Sequence, residues 1–202
     1  HALPEALRQV RPTMMTAVPR LLERVHARMW ERVRPMPGIA GRFSRWALTT
    51  ADRNGARPSA PACILADAIV GHRLRKAMGG DLRVLIVGGA PMPPHLYRFF
   101  IRAGLPLYQG YGLTEAAPVL CTNFPGRHKI GTVGQALPSV ELARSPQGEL
   151  LARGPNIMRG YHNMPKETAD VVDQGGWLHT GDIAATDADG FVTITARLKE
   201  LF

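Results

Sequence analysis

The apolar stretch at residues 83–87 (RVLIV), followed at once by residues 88–91 (GGAP), constrains the fold of this 202-residue chain most strongly. A continuous run of this kind is typical of a strand that is buried on both faces of a parallel sheet. A glycine-rich turn after such a strand lies where open α/β sheets bind ligands, and it lets a ligand approach the backbone closely. Gly88, Gly89 and Ala90 are therefore candidate binding residues, although an ordinary strand-to-helix turn also fits.

Strand and helix patterns alternate around this segment, which is typical of an α/β layered unit. We expect helices over 3–10, 19–34, 43–53, 64–78 and 94–103, strands over 13–18, 83–87 and 106–109, and a loop over 54–62. After about residue 127, glycines separate short β-type segments (VELAR, GELLAR, DIAAT and FVTIT), with one short helix over 165–172. This rhythm predicts a small barrel or sandwich. We therefore expect an α/β subdomain at 1–128 and a small β-rich, barrel-like subdomain at 129–196.

The positive charge is concentrated in the first half of the chain. Residues 1–103 carry 17 Lys/Arg and 6 Asp/Glu, a net charge of +11, whereas residues 104–202 carry 8 and 10, a net charge of −2. A segment with this positive charge could bind nucleic acid, an anionic membrane or acidic ligands, and a solvated protein surface would also explain the charge. Aromatic residues do not alternate with the basic ones as in single-strand binders, so we expect no nucleic-acid partner.

Two further features bear on location. The arginines between residues 8 and 34 lie partly at helical spacing, which favours peripheral membrane contact, although a solvated helix face also explains them. No apolar run approaches the ~20 residues that span a bilayer. Cys63 and Cys121 lack metal-ligand spacing, which predicts buried thiols in a reducing compartment. We expect a cytoplasmic protein that can contact a membrane peripherally.

The segment 108–115 (YQGYGLTE) carries the densest group of candidate residues. Gln109, Gly110 and Tyr111 combine an aromatic ring with permissive backbone, an arrangement that suits a stacked base. Thr114 offers a hydroxyl group, and Glu115 offers a carboxylate of the type that Mg²⁺ prefers. Taken singly, a core tyrosine, a capping threonine and a solvated glutamate would explain these residues equally well.

The segment 176–182 (GWLHTGD) ends in Asp182, which follows a glycine in what we predict to be a strand-starting turn. An aspartate there can accept hydrogen bonds from the two hydroxyls of a ribose, and it can equally cap the turn. His179 is predicted to be structural, because nothing in the sequence places a carboxylate or nucleophile beside it. The terminal segment 195–202 (TARLKELF) fits a charged chain end.

Taken in order, these segments resemble the adenylate-forming (AMP-binding) synthetase superfamily, which includes fatty acyl-CoA synthetases, luciferases and peptide-synthetase adenylation domains. The matching segments are GGAPM at 88–92, YQGYGLTEAAP at 108–118, KIGTVGQALP at 129–138, GELLARGPNIMRGYHNMP at 148–165, GWLHTGD at 176–182 and DGFVTITARLKEL at 189–201. Residues 13–26 and the Arg-rich helical stretch from 27 to 80 most resemble long-chain fatty acyl-CoA synthetases.

The resemblance implies part of the large N-terminal domain of an adenylate-forming enzyme. It implies a ligase that uses ATP and Mg²⁺ to convert a long-chain fatty acid to acyl-AMP and then, with coenzyme A, to acyl-CoA. Two alternatives remain open: an acyl-AMP ligase that loads a carrier protein, and an inactive truncated fragment that only binds nucleotide.

The resemblance also implies a role for each matching residue. Gly88, Gly89 and Ala90 would border the adenine, Tyr111 would stack on it, and Gln109 and Gly110 would lie close by. Thr114 would bind the α-phosphate, Glu115 would hold Mg²⁺, Asp182 would bind the ribose, and Arg197 would reach the ribose or phosphates. Lys199 would belong to a hinge at 197–202. Thr114, Glu115, Arg197 and Lys199 are the candidate catalytic residues.

Two elements of the resembled family have no counterpart in this sequence. They are the Gly/Ser/Thr-rich phosphate loop with its lysine and the catalytic lysine of the small C-terminal domain. The resemblance implies that both belong to segments of a longer parent chain, before residue 1 and after residue 202. We therefore expect this chain to hold the adenine, ribose and magnesium side of the site and to be inactive alone.

Overall fold

The structure is a computed structural model that describes residues 3–52 and 61–200. Most of the loop predicted at 54–62 lies outside the described residues. The chain forms two compact units, His1–Leu107 and Tyr108–Phe202.

The first unit contains the alternation of helices and strands that the sequence predicts. Its elements are α1 (Leu3–Val10), β1 (Met14–Ala17), α2 (Pro19–Val33), α3 (Gly38–Asp52), α4 (Pro61–Ala77), β2 (Val84–Val87) and α5 (Pro94–Arg102). Strands β1 and β2 pair in parallel, with Met14 opposite Val84. Helices α2 and α5 both begin at a proline, whose fixed φ suits the first turn and whose missing N–H costs nothing there.

Apolar side chains from the helices α2 to α5 and from strand β2 form one core in the first unit. The largest side chains buried in it include Tyr97, Phe99 and Phe100 of α5. Strand β2 contributes Leu85 and Val87, which are fully buried, whereas Val84 and Ile86 are partly exposed. The prediction that both faces of this strand are buried is therefore met on one face only, because the side chains of a strand alternate between faces.

The second unit is built mainly of antiparallel strands. A three-stranded arrangement contains β3 (Leu107–Gly112), β4 (Val119–Thr122) and β5 (Gln135–Ala136), and a four-stranded sheet contains β6 (Glu141–Arg144), β7 (Glu149–Arg153), β8 (Leu178–Thr186) and β9 (Val192–Arg197). The strands β6 to β9 correspond to the four glycine-separated segments that the sequence predicts. A short helix, α6 (Pro165–Val171), and two 3₁₀ turns, Thr114–Ala116 and Leu198–Glu200, complete the unit.

One hydrophobic core joins both groups of strands in the second unit. Leu120 and Cys121 of β4 are buried in the same cluster as Leu150, Leu178 and Val192 of the four-stranded sheet. For this reason the compact units divide at 107/108, earlier than the subdomain boundary predicted at 128/129. The glycine frequency changes near 128, but the core packing changes where β3 begins.

Both cysteines are buried and unbridged, as the sequence predicts. Among the helices within residues 3–52 and 61–200, none has the length and apolarity needed to cross a membrane.

Candidate functional site

A bulge in β8 orients the aspartate that the sequence singles out. Leu151 of β7 lies opposite His179 of β8, but Glu149 lies opposite Ile183, so that residues 180–182 face the single residue Leu150. Bulges of this kind bend a strand and redirect a side chain, and they are common beside functional sites. Strand β8 begins at Leu178, so Asp182 lies within the strand. The prediction that Asp182 lies in a strand-starting turn is wrong.

The carboxylate of Asp182 is buried and has two strong donors. Its residue is only 4% exposed. Oδ2 accepts a 2.7 Å hydrogen bond from the phenol of Tyr111, and Nε of Arg197 lies 3.1 Å from Oδ1. The Arg197 side chain itself is 65% exposed, so its guanidinium bridges this buried carboxylate to the surface. An ionised carboxylate can accept about four hydrogen bonds, which leaves acceptor capacity for a ligand.

Tyr111 is held in β3 opposite Cys121 of β4. Burial, followed by the hydrogen bond to Asp182, raises the pKa of its phenol far above the usual value. Tyr111 therefore stays neutral and acts as the donor in this pair.

The 3₁₀ turn Thr114–Ala116 follows β3 and carries the other candidate residues of this segment. Thr114 is exposed and Glu115 is partly exposed. The side-chain amide of Asn156 donates to the carbonyls of Ala116 (2.9 Å) and Val119 (3.0 Å), on either side of Ala117, which has a φ of +46°. A non-glycine residue with positive φ persists only where its surroundings enforce it, so Asn156 fixes the shape of this turn.

Within the described residues, one side chain donates a hydrogen bond to the Glu115 carboxylate. The phenol of Tyr161 donates to its Oε1 at 2.8 Å, and this bond raises the pKa of Tyr161. Within residues 3–52 and 61–200, no group of three or more His, Cys, Asp or Glu side chains could hold a metal. A carboxylate of this kind fits Mg²⁺ as one protein ligand, because Mg²⁺ commonly takes one or two carboxylates and completes its sphere with water and phosphate oxygens.

The other candidate residues predicted from the sequence lie in both compact units. Gly88, Gly89 and Ala90 belong to the first unit, where they follow β2, and Gly89 has a φ of +81°. Gln109 is buried, and its carbonyl accepts from the backbone and side-chain amides of Asn123. Gly110 pairs with Thr122 across β3 and β4. Lys199 is exposed in the turn Leu198–Glu200.

The structure thus brings Tyr111, Asp182 and Arg197 together, and it reveals polar residues that the sequence did not single out. These are Glu149, Asn156 and Tyr161. His179 does have a carboxylate partner, Glu149 at 3.0 Å, contrary to the expectation. The available signal for Glu149 was a charged residue at the start of β7, directly before the apolar residues 150–152.

Comparison with known proteins identifies the family and the fold. A family model described as AMP-binding enzyme matches residues 1–162. The long-chain-fatty-acid–CoA ligase FadD15 of Mycobacterium bovis is 36% identical over 95% of this chain and 33% of its own length. The curated relatives include other fatty-acid–CoA ligases at about 35% identity, and this chain spans about a third of their length.

Solved structures agree on the fold. The amide bond synthetase McbA from Marinactinospora thermotolerans superposes with a TM-score of 0.66 at 27% identity, covering 98% of this chain and 35% of that one. The ATP-bound structure of MatB from Rhodopseudomonas palustris gives a TM-score of 0.65 at 22% identity, covering 98% and 33%. The architecture is therefore that of the N-terminal domain of adenylate-forming enzymes. By its sequence, this chain belongs to the AMP-binding enzyme family.

Proposed function

We propose that this chain carries the adenine-, ribose- and magnesium-binding side of a site that activates a long-chain fatty acid with ATP. The buried Asp182 carboxylate, held between Tyr111 and Arg197, is the observation that supports this assignment most directly. The acid class follows from the relatives, which are named as fatty-acid–CoA ligases. Because the chain spans about a third of those relatives, the proposal concerns a partial site.

The reaction proposed is acyl activation in two steps. A carboxylate oxygen of the fatty acid attacks the α-phosphorus of ATP, forming acyl-AMP and releasing pyrophosphate. The thiolate sulfur of coenzyme A then attacks the acyl carbonyl carbon, and AMP leaves with the electron pair of the broken C–O bond. The mixed anhydride makes the second step an easy acyl transfer.

The residues of the second unit would divide this work by their chemistry. Asp182 would accept hydrogen bonds from the ribose hydroxyls, using the acceptor capacity that Tyr111 and Arg197 leave. The exposed guanidinium of Arg197 and the exposed hydroxyl of Thr114 would donate to the ribose or the α-phosphate, where fixed donors stabilise developing negative charge. The ring of Tyr111, with Gln109 and Gly110 beside it in β3, would pack on the adenine.

Other proposed roles depend on the family resemblance more than on contacts. Gly88, Gly89 and Ala90 would border the adenine, and Lys199 would belong to a hinge at 197–202. Glu115 would hold Mg²⁺ through a carboxylate oxygen. Bound there, Mg²⁺ would neutralise phosphate charge.

A titration of a non-hydrolysable acyl-sulfamoyl adenosine into the purified chain tests the proposal. We expect Asp182→Asn to weaken binding on the order of 10- to 100-fold, because hydrogen bonds to a charged group contribute roughly 1.5–3 kcal/mol. Asp189→Asn is the matched control, because the Asp189 carboxylate is 75% exposed in the same unit. A folded chain that binds no analogue, or binding that both variants leave unchanged, would contradict the proposal.

We also propose that the first unit contacts anionic membrane surfaces. Arg20, Arg24, Arg28 and Arg32 of α2 are all exposed and recur every four residues, so they share one helix face. Co-sedimentation with phosphatidylserine vesicles is expected at low salt and should be lost at high salt, because surface charges are screened. Binding that does not respond to salt, or no binding at low salt, would rule this contact out.

A further inference from the structure

We propose that Glu149 is the positioning residue that keeps the β8 bulge in the form in which Asp182 can receive a ribose. This inference rests on the proposed function, because it assigns Glu149 a role through Asp182. The hydrogen bonds around residues 180–182 support it.

The bulge removes backbone groups from the regular ladder between β7 and β8, and Glu149 replaces one of the missing partners. The N–H of Gly181 donates to Oε1 of Glu149 at 2.9 Å. Gly181 is partly buried, and an N–H there that lost its partner would cost up to roughly 1–3 kcal/mol, so this side chain stabilises the bulged backbone. Gly181 also has a φ of +71°, a conformation that glycine adopts readily.

The neighbouring residue closes the rest of the bulge with its own side chain. The hydroxyl of Thr180 donates to the carbonyl of Leu150 at 2.7 Å, and the N–H of Asp182 donates to Oγ1 of Thr180 at 3.2 Å. Thr180 therefore bonds both to the Leu150 carbonyl of β7 and to the backbone of β8, whereas Glu149 supplies the side-chain acceptor for Gly181. Together these bonds fix the direction in which the Asp182 side chain leaves the strand.

Glu149 is itself held firmly. Its residue is 8% exposed, and its backbone N–H donates to Oγ of Ser145 at 3.1 Å. Its second carboxylate oxygen lies 3.0 Å from Nδ1 of His179, whose Nε2 lies 3.9 Å from a carboxylate oxygen of Asp173. His179 thus lies between two carboxylates and limits the rotation of the Glu149 side chain.

The residue type at position 149 supports a role beyond packing. Burying a carboxylate costs free energy that an apolar side chain of similar volume would not cost. Leu150 and Ala152 of the same strand are buried and apolar. A glutamate at this place is explained by the acceptor that it provides to Gly181.

Two substitutions at position 149 test whether the acceptor oxygen of the side chain, and not its volume, holds the bulge. Glu149→Gln keeps an oxygen that can accept from Gly181, whereas Glu149→Leu keeps approximate volume and removes the acceptor. In the ligand-free chain, we expect Glu149→Leu to speed amide hydrogen exchange at Gly181 on the order of tenfold, with Glu149→Gln near wild type. Unchanged Gly181 exchange in Glu149→Leu, measured by NMR on ¹⁵N-labelled protein, would overturn the inference without reference to any ligand.

A second measurement tests whether the contact between Glu149 and Gly181 changes how strongly the ribose hydroxyls contribute to ligand affinity. The affinity for the acyl-sulfamoyl adenosine is divided by the affinity for its 2′,3′-dideoxy form, in wild type and in both variants. We expect Glu149→Leu to lower this ratio at least fivefold and Glu149→Gln to retain most of it. A merely structural role would weaken both ligands equally and leave the ratio unchanged.

The outcomes distinguish the two hypotheses. A wild-type ratio near one would contradict the proposed role of Asp182, while Gly181 exchange would still decide whether Glu149 holds the bulge. A high wild-type ratio that Glu149→Leu preserves would overturn the role of Glu149 alone. Equal losses in Glu149→Gln and Glu149→Leu would also overturn it, because the glutamine keeps the acceptor.

Discussion

The phenol of Tyr161 donates a 2.8 Å hydrogen bond to Oε1 of Glu115, although 46 positions separate the two residues. The backbone of Tyr161 is anchored to α6, because its N–H donates to Oγ1 of Thr168 at 2.9 Å. The bond engages one carboxylate oxygen of Glu115, so Glu115 would offer its other oxygen to a metal. Tyr161 therefore links the position of α6 to the orientation of the proposed magnesium ligand.

Tyr161→Phe tests this link by removing the hydroxyl and keeping the ring. We expect the dissociation constant for Mn²⁺ in the presence of ATP to rise about 3- to 10-fold, because one hydrogen bond contributes about 1 kcal/mol. Electron paramagnetic resonance of free Mn²⁺ measures this constant without turnover. Tyr108→Phe is the control and should leave it unchanged; equal Mn²⁺ affinities in wild type and Tyr161→Phe would contradict the link.

Asn156 supports the turn that carries Thr114 and Glu115. Its side-chain N–H groups reach the carbonyls of Ala116 and Val119, while its buried Oδ1 accepts no hydrogen bond from the described residues. We expect Asn156→Ala to lower the free energy of unfolding by roughly 1–3 kcal/mol. Asn156→Asp should cost more, because it also places a charge beside two carbonyl oxygens. Urea unfolding gives both values, and an Asp variant as stable as wild type would refute this account.

The elements and the first-named site residues follow from local patterns in the sequence. The apolar run before Gly88, the prolines that begin α2 and α5, and the glycine-separated β segments each depend on neighbouring residues. Tyr111 and Asp182 could likewise be proposed from short segments, by the chemistry of the side chains and by family resemblance.

The supporting residues could not be found in this way. Glu149 contacts Gly181 because of a register shift between β7 and β8. Tyr161 contacts Glu115 although the strands β4 to β7 lie between these two residues in the chain. Such pairings depend on register and packing, which residue type alone does not reveal. The division into compact units at 107/108 likewise depends on which core buries Leu120 and Cys121, and the change in glycine frequency near residue 128 does not indicate it.

Gly112 ends β3 where two backbone segments approach closely. A Cβ at this position would lie 1.7 Å from the carbonyl oxygen of Pro118 and 2.8 Å from Cα of Val119. Because the obstructing atoms are backbone, Gly112→Ala must displace the chain next to Tyr111. We expect a loss of about 3 kcal/mol or more in the free energy of unfolding, together with weaker binding of the adenylate analogue.

Gly126→Ala is the matched control for this substitution. Gly126 has a φ of +77° but no atom within 4 Å of an added Cβ, so only backbone strain of about 1–2 kcal/mol is expected. Urea unfolding of the two variants compares a steric clash with strain alone. A loss in Gly112→Ala no larger than that in Gly126→Ala would show that the close approach does not constrain β3.

Cys121 should make stability depend on alkaline pH. Burial in β4 raises the pKa of its thiol to about 12, whereas a cysteine in an unfolded chain titrates near about 8.5. The raised folded pKa contributes stability that is fully present below about pH 8.5 and is lost as the pH rises toward 12, because only the unfolded chain releases the proton. Between about pH 9 and 10 this thiol should lower the free energy of unfolding by ~1.2 kcal/mol, and the slope approaches ~1.4 kcal/mol per pH unit just above about pH 10. Cys121→Ala, though less stable at neutral pH because it leaves a small cavity, should therefore show a shallower pH dependence in urea unfolding, and identical slopes would contradict the raised thiol pKa.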